Sequence, residues 1–160
     1  MRALLSVASR DGIAELARDL TTLNVELFAT EGTLGALRDA GVAAQPVSAL
    51  TQAESLAGGQ VRTFHPQIYA GILARRQVPD EIAQLTEAGI GLIDLVIVNV
   101  KPFAPEVGAR LVGIDEAIEM IDVGGAALLA YAYQAAGLYP PDDATIKFIA
   151  RERGWLKDDV

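Results

Sequence analysis

Residues 93–100 read IDLVIVNV, and no other segment limits the fold as strongly. A continuous run of β-branched residues is what a strand buried on both faces looks like. Such strands belong to sheets with a helical layer on each side, so this run predicts the central strand of an α/β domain. Lys101-Pro102-Phe103 stops it.

The rest of the chain alternates to match. RALLSV (2–7) is a short apolar strand, broken by Ser9-Arg10-Asp11-Gly12. Residues 12–23 place Ile13, Leu16, Ala17 and Leu20 on one helical face. VELFAT (25–30) is a second strand, and LGALRDAG (34–41) is a helix closed by glycine. VAAQPVS (42–48) is a weaker strand that Pro46 confines to an edge or an end. Residues 49–78 are less regular. A helix follows at 79–90, with proline and acids at its start. Helix 113–122 carries Ile114, Ala117, Ile118 and Ile121 on one side. Val123-Gly124-Gly125 interrupts, and a helix resumes over 126–137. Tyr139-Pro140-Pro141 is a turn, and a terminal helix with a charged end follows. This order implies a three-layer α/β fold: a mostly parallel sheet with helices on both faces.

A length of 160 residues suits one domain with a sizeable core. The net charge of −8 argues against general affinity for nucleic acid or for an anionic membrane. It leaves room for a local anion site. No apolar run is long enough to span a bilayer. MRALLSVASRDG reads as a core strand rather than a signal peptide, so the expected location is the cytoplasm. The chain has no cysteine, which excludes disulfides and thiol catalysis. No spacing of His, Asp and Glu suggests a metal site.

In parallel sheets, ligands bind beyond the carboxyl ends of the strands. Those ends are rich in small and polar residues here. Ser6, Ser9 and Arg10 precede one helix start, and Thr30, Gly32 and Thr33 precede another. Two helix N-termini side by side would cradle a phosphate. Ordinary capping by Ser9, Asp11 and Thr33 is the alternative. Asp122 precedes Gly124 and Gly125, so it lies either beside a closely approaching ligand or in a turn where it caps the next helix. Lys101, after the apolar run, is either at the rim of a site or simply exposed. His65 is the one histidine, in QVRTFHPQIYAGILARR (60–76), where a structural role and a site role both stand open.

Taken in order, five stretches resemble a known family: LLSVASRDGIAELARDL, ELFATEGTLGALRDAG, GGQVRTFHPQIYAGILARR, IDLVIVNVKPF and IDEAIEMIDVGGAALL. They are similar to the inosine monophosphate cyclohydrolase domain of the bifunctional purine biosynthesis protein, over Met1 to about Gln134. The resemblance implies the methylglyoxal-synthase-like fold for residues 1–137, with 138–160 a divergent C-terminal helix or tail and the family's formyltransferase domain absent. It implies closure of the purine ring on a formamido-imidazole-carboxamide ribonucleotide, with no metal or organic cofactor. It also implies a homodimer with active sites near the subunit interface; AALLAYAYQAAGLY would suit such a contact or equally a buried core helix.

The resemblance assigns substrate and phosphate binding to Ser6, Ser9, Arg10, Thr30, Gly32, Thr33, Thr63, His65, Asn99, Gly124 and Gly125. The family's four catalytic positions fall at Asp122, which is kept, at Arg62, which keeps the charge, and at Lys101 and Gln134, where the family residue is lost; Asp122, Lys101 and Arg62 are the catalytic candidates. Several positions depart from the family pattern. Arg10 stands for a lysine in the phosphate loop, and Glu31 for a glycine of the second loop. Gln60 stands for an arginine and Arg62 for the catalytic lysine. Lys101 replaces a tyrosine, and Gln134 a lysine. Arg62 keeps a charge but cannot exchange a proton near neutral pH. Two readings follow: a cyclohydrolase-like enzyme acting on this or a related ribonucleotide, or a nucleotide- or phosphate-binding module that has lost catalysis.

Overall fold

The computed structural model describes residues 1–53, 61–101, 113, 114, 116 and 120–137. Four strands form one parallel sheet: β1 (Arg2–Val7), β2 (Glu26–Ala29), β3 (Gln45–Pro46) and β4 (Leu95–Asn99), in the order β3-β2-β1-β4. The helices are α1 (Ile13–Thr22), α2 (Glu31–Asp39), α3 (Ser48–Thr51), α4 (Pro66–Leu73), α5 (Pro79–Glu87) and α6 (Val123–Ala135). The α/β class and the parallel sheet are as the sequence implies. The predicted helix 113–122 falls largely outside the described residues, as do Gln60 and the terminal helix.

Strand alternation sorts the core into two layers, because successive side chains leave opposite faces. Ala3 and Leu5 of β1, with Leu27 and Ala29 of β2, pack against Ile13, Ala17 and Leu20 of α1 and Leu34 and Leu37 of α2. Leu4 and Phe28 face the other way, onto Ile68 and Ile72 of α4 and Leu128 of α6. β4 keeps the same phase: Leu95 and Ile97 join the first layer, Val96 and Val98 the second.

Among the described residues, 93–100 pairs with a strand on one side only, whereas the sequence reading places it at the centre. β4 flanks the described sheet and its apolar residues are only half-buried. β1 takes the centre, paired on both sides, and Ala3, Leu4 and Leu5 are fully buried. A β-branched run reports a strand, but not how many neighbours it has. β3 is shorter than its predicted span and lies at the edge, where a proline lacking an N–H is tolerated. Residues 49–78 hold more helix than expected. His65 caps α4 there, its Nδ1 accepting from the Gln67 N–H at 3.3 Å, and Pro66 fills the first helical position. Gly71 sits where a Cβ would be 2.7 Å from the Gly91 carbonyl oxygen, so α4 approaches the chain before β4 closely.

Tyr69 stacks on Tyr131 of α6, with ring centroids 4.1 Å apart. Its hydroxyl is buried and has no partner in hydrogen-bond geometry among the described residues. Burial raises the Tyr69 pKa above the ordinary tyrosine value; the nearby Thr63 hydroxyl offsets part of the rise, although the pair does not meet hydrogen-bond geometry. The folded state therefore holds this proton to higher pH than the unfolded chain. Its contribution is complete below about pH 10 and is lost as pH rises through the folded-state value. Tyr69→Phe should flatten the alkaline fall in melting temperature. An identical alkaline profile in the variant would show that Tyr69 does not control it.

Candidate active site at the carboxyl ends of the strands

The ends of β1, β2 and β4 lie on one side of the sheet, as their parallel pairing requires. A cavity of about 240 Å3 opens there. β1 and the residue after it contribute Ser6, Val7 and Ala8; the start of α2 contributes Thr30, Gly32 and Thr33. Arg62 and Thr63 come from the segment before α4, and Asn99 and Lys101 from the end of β4. The floor is Asp122, Gly124 and Gly125 at the start of α6.

Hydroxyls stitch the first two turns together. Thr33 Oγ1 accepts from the Val7 N–H at 3.0 Å. Thr30 Oγ1 lies 3.4 Å from both Ser6 Oγ and Thr33 Oγ1. This network explains why α2 starts at Glu31 rather than at Leu34. Thr30 is its N-cap residue, with its hydroxyl turned to Ser6, while Thr33 lies inside the first turn and ties it to β1. Ser9 does not cap α1 either: Gly12 is the cap residue, and Ser9 Oγ donates to Asp11 Oδ2 at 3.2 Å. Arg10 Nη2 comes to 3.4 Å from where a Gly32 Cβ would stand, so the guanidinium lies over the first turn of α2. Glu31 is exposed and does not line the cavity, whereas its neighbours Thr30 and Gly32 do. Its carboxylate complements the helix dipole from outside.

Asp122 joins the floor to the rim. Oδ1 accepts from the Gly125 N–H at 2.9 Å, which caps α6, and Oδ2 accepts from the Lys101 N–H at 3.3 Å. The glycines expected to interrupt the helix lie instead within its first turn. Gly125 is closely packed: a Cβ would sit 2.5 Å from Asp122 Oδ2 and 2.9 Å from Val100 Cγ1, so one of those side chains would have to shift. Gly125→Ala is expected to push the carboxylate off its cap, with a stability loss of at least ~1 kcal/mol in urea unfolding. An unchanged midpoint would mean that the turn yields without cost.

Eleven of the fourteen residues singled out from the sequence therefore line one cavity. Ser9, Arg10 and His65 do not: Ser9 and Arg10 belong to the turn after β1, with Arg10 beside the cavity-lining Gly32, and His65 is the α4 cap. Gln134 is twelve residues along α6 from Asp122, roughly 18 Å by helical rise. It does not line this cavity. Sequence reasoning missed the apolar wall of Met120, Ile121 and Val123. Ile121 and Val123 are half-exposed beside the aspartate, and two large apolar residues flanking a candidate catalytic carboxylate were the available signal. Among the described residues no cluster of His, Asp or Glu could hold a metal ion, and no helix is long and apolar enough to cross a membrane.

The MGS-like domain profile matches residues 12–127, which takes in every strand from β2 onward and the cavity floor. The chain belongs to the MGS-like domain family. The bifunctional purine biosynthesis protein PurH of Chlorobium luteolum is 46% identical to this MGS-like domain over 131 residues, 82% of this chain and 25% of that protein. PurH of Staphylococcus haemolyticus is 47% identical, over 82% of this chain and 27% of its own. The chain thus spans about a quarter of the length of these relatives. The crystal structure of ForH superposes with a TM-score of 0.70 at 31% identity, covering 98% of this MGS-like domain and 82% of ForH.

Proposed function

We propose that this cavity binds a purine-pathway ribonucleotide and closes its ring, the inosine monophosphate cyclohydrolase type of reaction. The observation that carries the reading is the meeting of Asp122, Lys101 and Arg62 around one space that also reaches the start of α2. The similarity to PurH, a purine biosynthesis protein, supports the pathway.

In the reaction a carboxamide nitrogen attacks a formyl carbon, and the carbinolamine that forms loses water. The N–C bond forms as the carbonyl π bond breaks, the nitrogen losing one proton and the oxygen gaining one to become the carbinolamine hydroxyl. That hydroxyl then takes a second proton and leaves as water, while a ring nitrogen loses its proton and the C=N bond forms. Each Asp122 oxygen accepts one backbone N–H and retains capacity for another donor. On this reading Asp122 orients the carboxamide and receives its proton. The Arg62 guanidinium stabilises the developing charge on the formyl oxygen. Lys101 supplies an ammonium proton to the departing oxygen. The phosphate sits toward Gly32, Thr33 and Arg10, where a helix N-terminus and a guanidinium favour an anion.

The test is a ring-closure assay with purified protein, followed by ultraviolet absorbance. Turnover above the uncatalysed rate is expected, and a rate equal to it overturns the reaction. Titration with inosine monophosphate then shows whether the cavity still serves as a nucleotide-binding module. Ile121 and Val123 expose apolar surface in the cavity wall, and Phe64, next in sequence to the cavity residue Thr63, is exposed as well, which suits contact with a second copy of the chain. Light scattering after gel filtration should report a dimer, and a monomer would remove that part of the reading.

A further inference from the structure

Asn99 lines the cavity, yet its side chain is committed to the protein's own backbone. Oδ1 accepts from the Ala8 N–H at 2.7 Å and from the Ser9 N–H at 3.0 Å, and Nδ2 donates to the Ser9 carbonyl at 3.0 Å. Two consecutive N–H groups converging on one oxygen form the kind of concavity that receives an anion. Here an amide oxygen from the end of β4 already fills it. The next residue in the turn is Arg10, whose guanidinium lies over the first turn of α2. The first bond of the α2 ladder is Leu34 N–H to the Thr30 carbonyl at 2.8 Å, so the N–H groups of Glu31, Gly32 and Thr33 precede that ladder.

We propose that Asn99 is a positioning residue, which locks the Ala8–Ser9 turn so that Arg10 is held over the α2 N-terminus. A consequence is that a substrate phosphate is taken by Arg10 and the α2 turn, while the Ala8 and Ser9 amides stay closed to it. Asn99 then contributes to phosphate affinity without touching the phosphate. The proposal rests on the reading of the cavity as a ribonucleotide site, but not on ring closure.

The experiment is a double-mutant cycle. Wild type, Asn99→Ala, Arg10→Ala and the double variant are titrated calorimetrically with inosine monophosphate, ribose 5-phosphate and inosine. Each single variant should weaken the two phosphorylated ligands by about tenfold or more. The double variant should be no weaker than Arg10→Ala alone, because a misplaced arginine and a missing one are equivalent. Inosine affinity, whatever its wild-type value, should not change. Asn99→Asp keeps an oxygen for the Ala8 and Ser9 amides but turns a second oxygen to the Ser9 carbonyl; it should fall between wild type and Asn99→Ala, and it carries the test if Asn99→Ala does not fold. Losses that simply multiply, or that fall on inosine and its phosphate alike, overturn the proposal, as does a wild type that binds neither phosphorylated ligand. Phosphate binding with the expected coupling but no turnover upholds it and removes only the ring-closure reading.

Discussion

Asp122→Asn is expected to lower the rate of ring closure by about 10²–10⁴-fold while leaving the melting temperature nearly unchanged. The two effects separate because asparagine caps a helix about as well as aspartate. Its side-chain oxygen can still accept from the Gly125 N–H, a bond of 2.9 Å in the native chain. What it cannot do is accept a proton, and its amide group would face the Lys101 N–H that now donates to Oδ2 at 3.3 Å. A purely structural Asp122 predicts the opposite pattern, with stability following the cap and turnover intact. Turnover within twofold of wild type would therefore remove Asp122 from the chemistry.

Leu128→Ala should destabilise the chain by about 2–5 kcal/mol, with the urea midpoint lowered and the slope unchanged. Leu128 is fully buried and packs in the layer formed by Leu4, Phe28, Ile68 and Ile72. It lies one turn after Gly125, on the inward face of α6. The packing that stabilises the second layer is thus the packing that seats the cavity floor. Nucleotide affinity should weaken along with stability, and added ligand should recover part of the loss by mass action. A midpoint shift below about 1 kcal/mol would mean that α6 is anchored elsewhere.

Much of the scaffold was legible residue by residue. β1 has its expected bounds, and α1 and β2 end within one residue of theirs. Their apolar spacing is local, and local spacing survives in any context that buries one face. The start of α2 was not legible. Thr30-Glu31-Gly32-Thr33 has the composition of a loop, and it becomes a helical turn because Thr33 bonds to Val7 on a neighbouring strand. The two glycines after Asp122 show the same limit. Their low helix propensity suggested a break, whereas the crowding of Asp122 and Val100 around Gly125 makes glycine the residue that fits the helix there. His65 could be marked as belonging to a signature stretch, but its cap bond to Gln67 is visible only in coordinates.

By itself, then, the order of residues determined a parallel α/β sheet, its two apolar layers, and a set of polar residues at strand ends. Periodicity and end position carry that information along the chain. Tertiary structure alone decided which of those residues share a cavity, that β4 flanks β1 in the sheet of the described residues, and that Asn99 is spent on Ala8 and Ser9 some ninety positions away. These depend on hydrogen bonds of about 3 Å between segments that no local pattern relates.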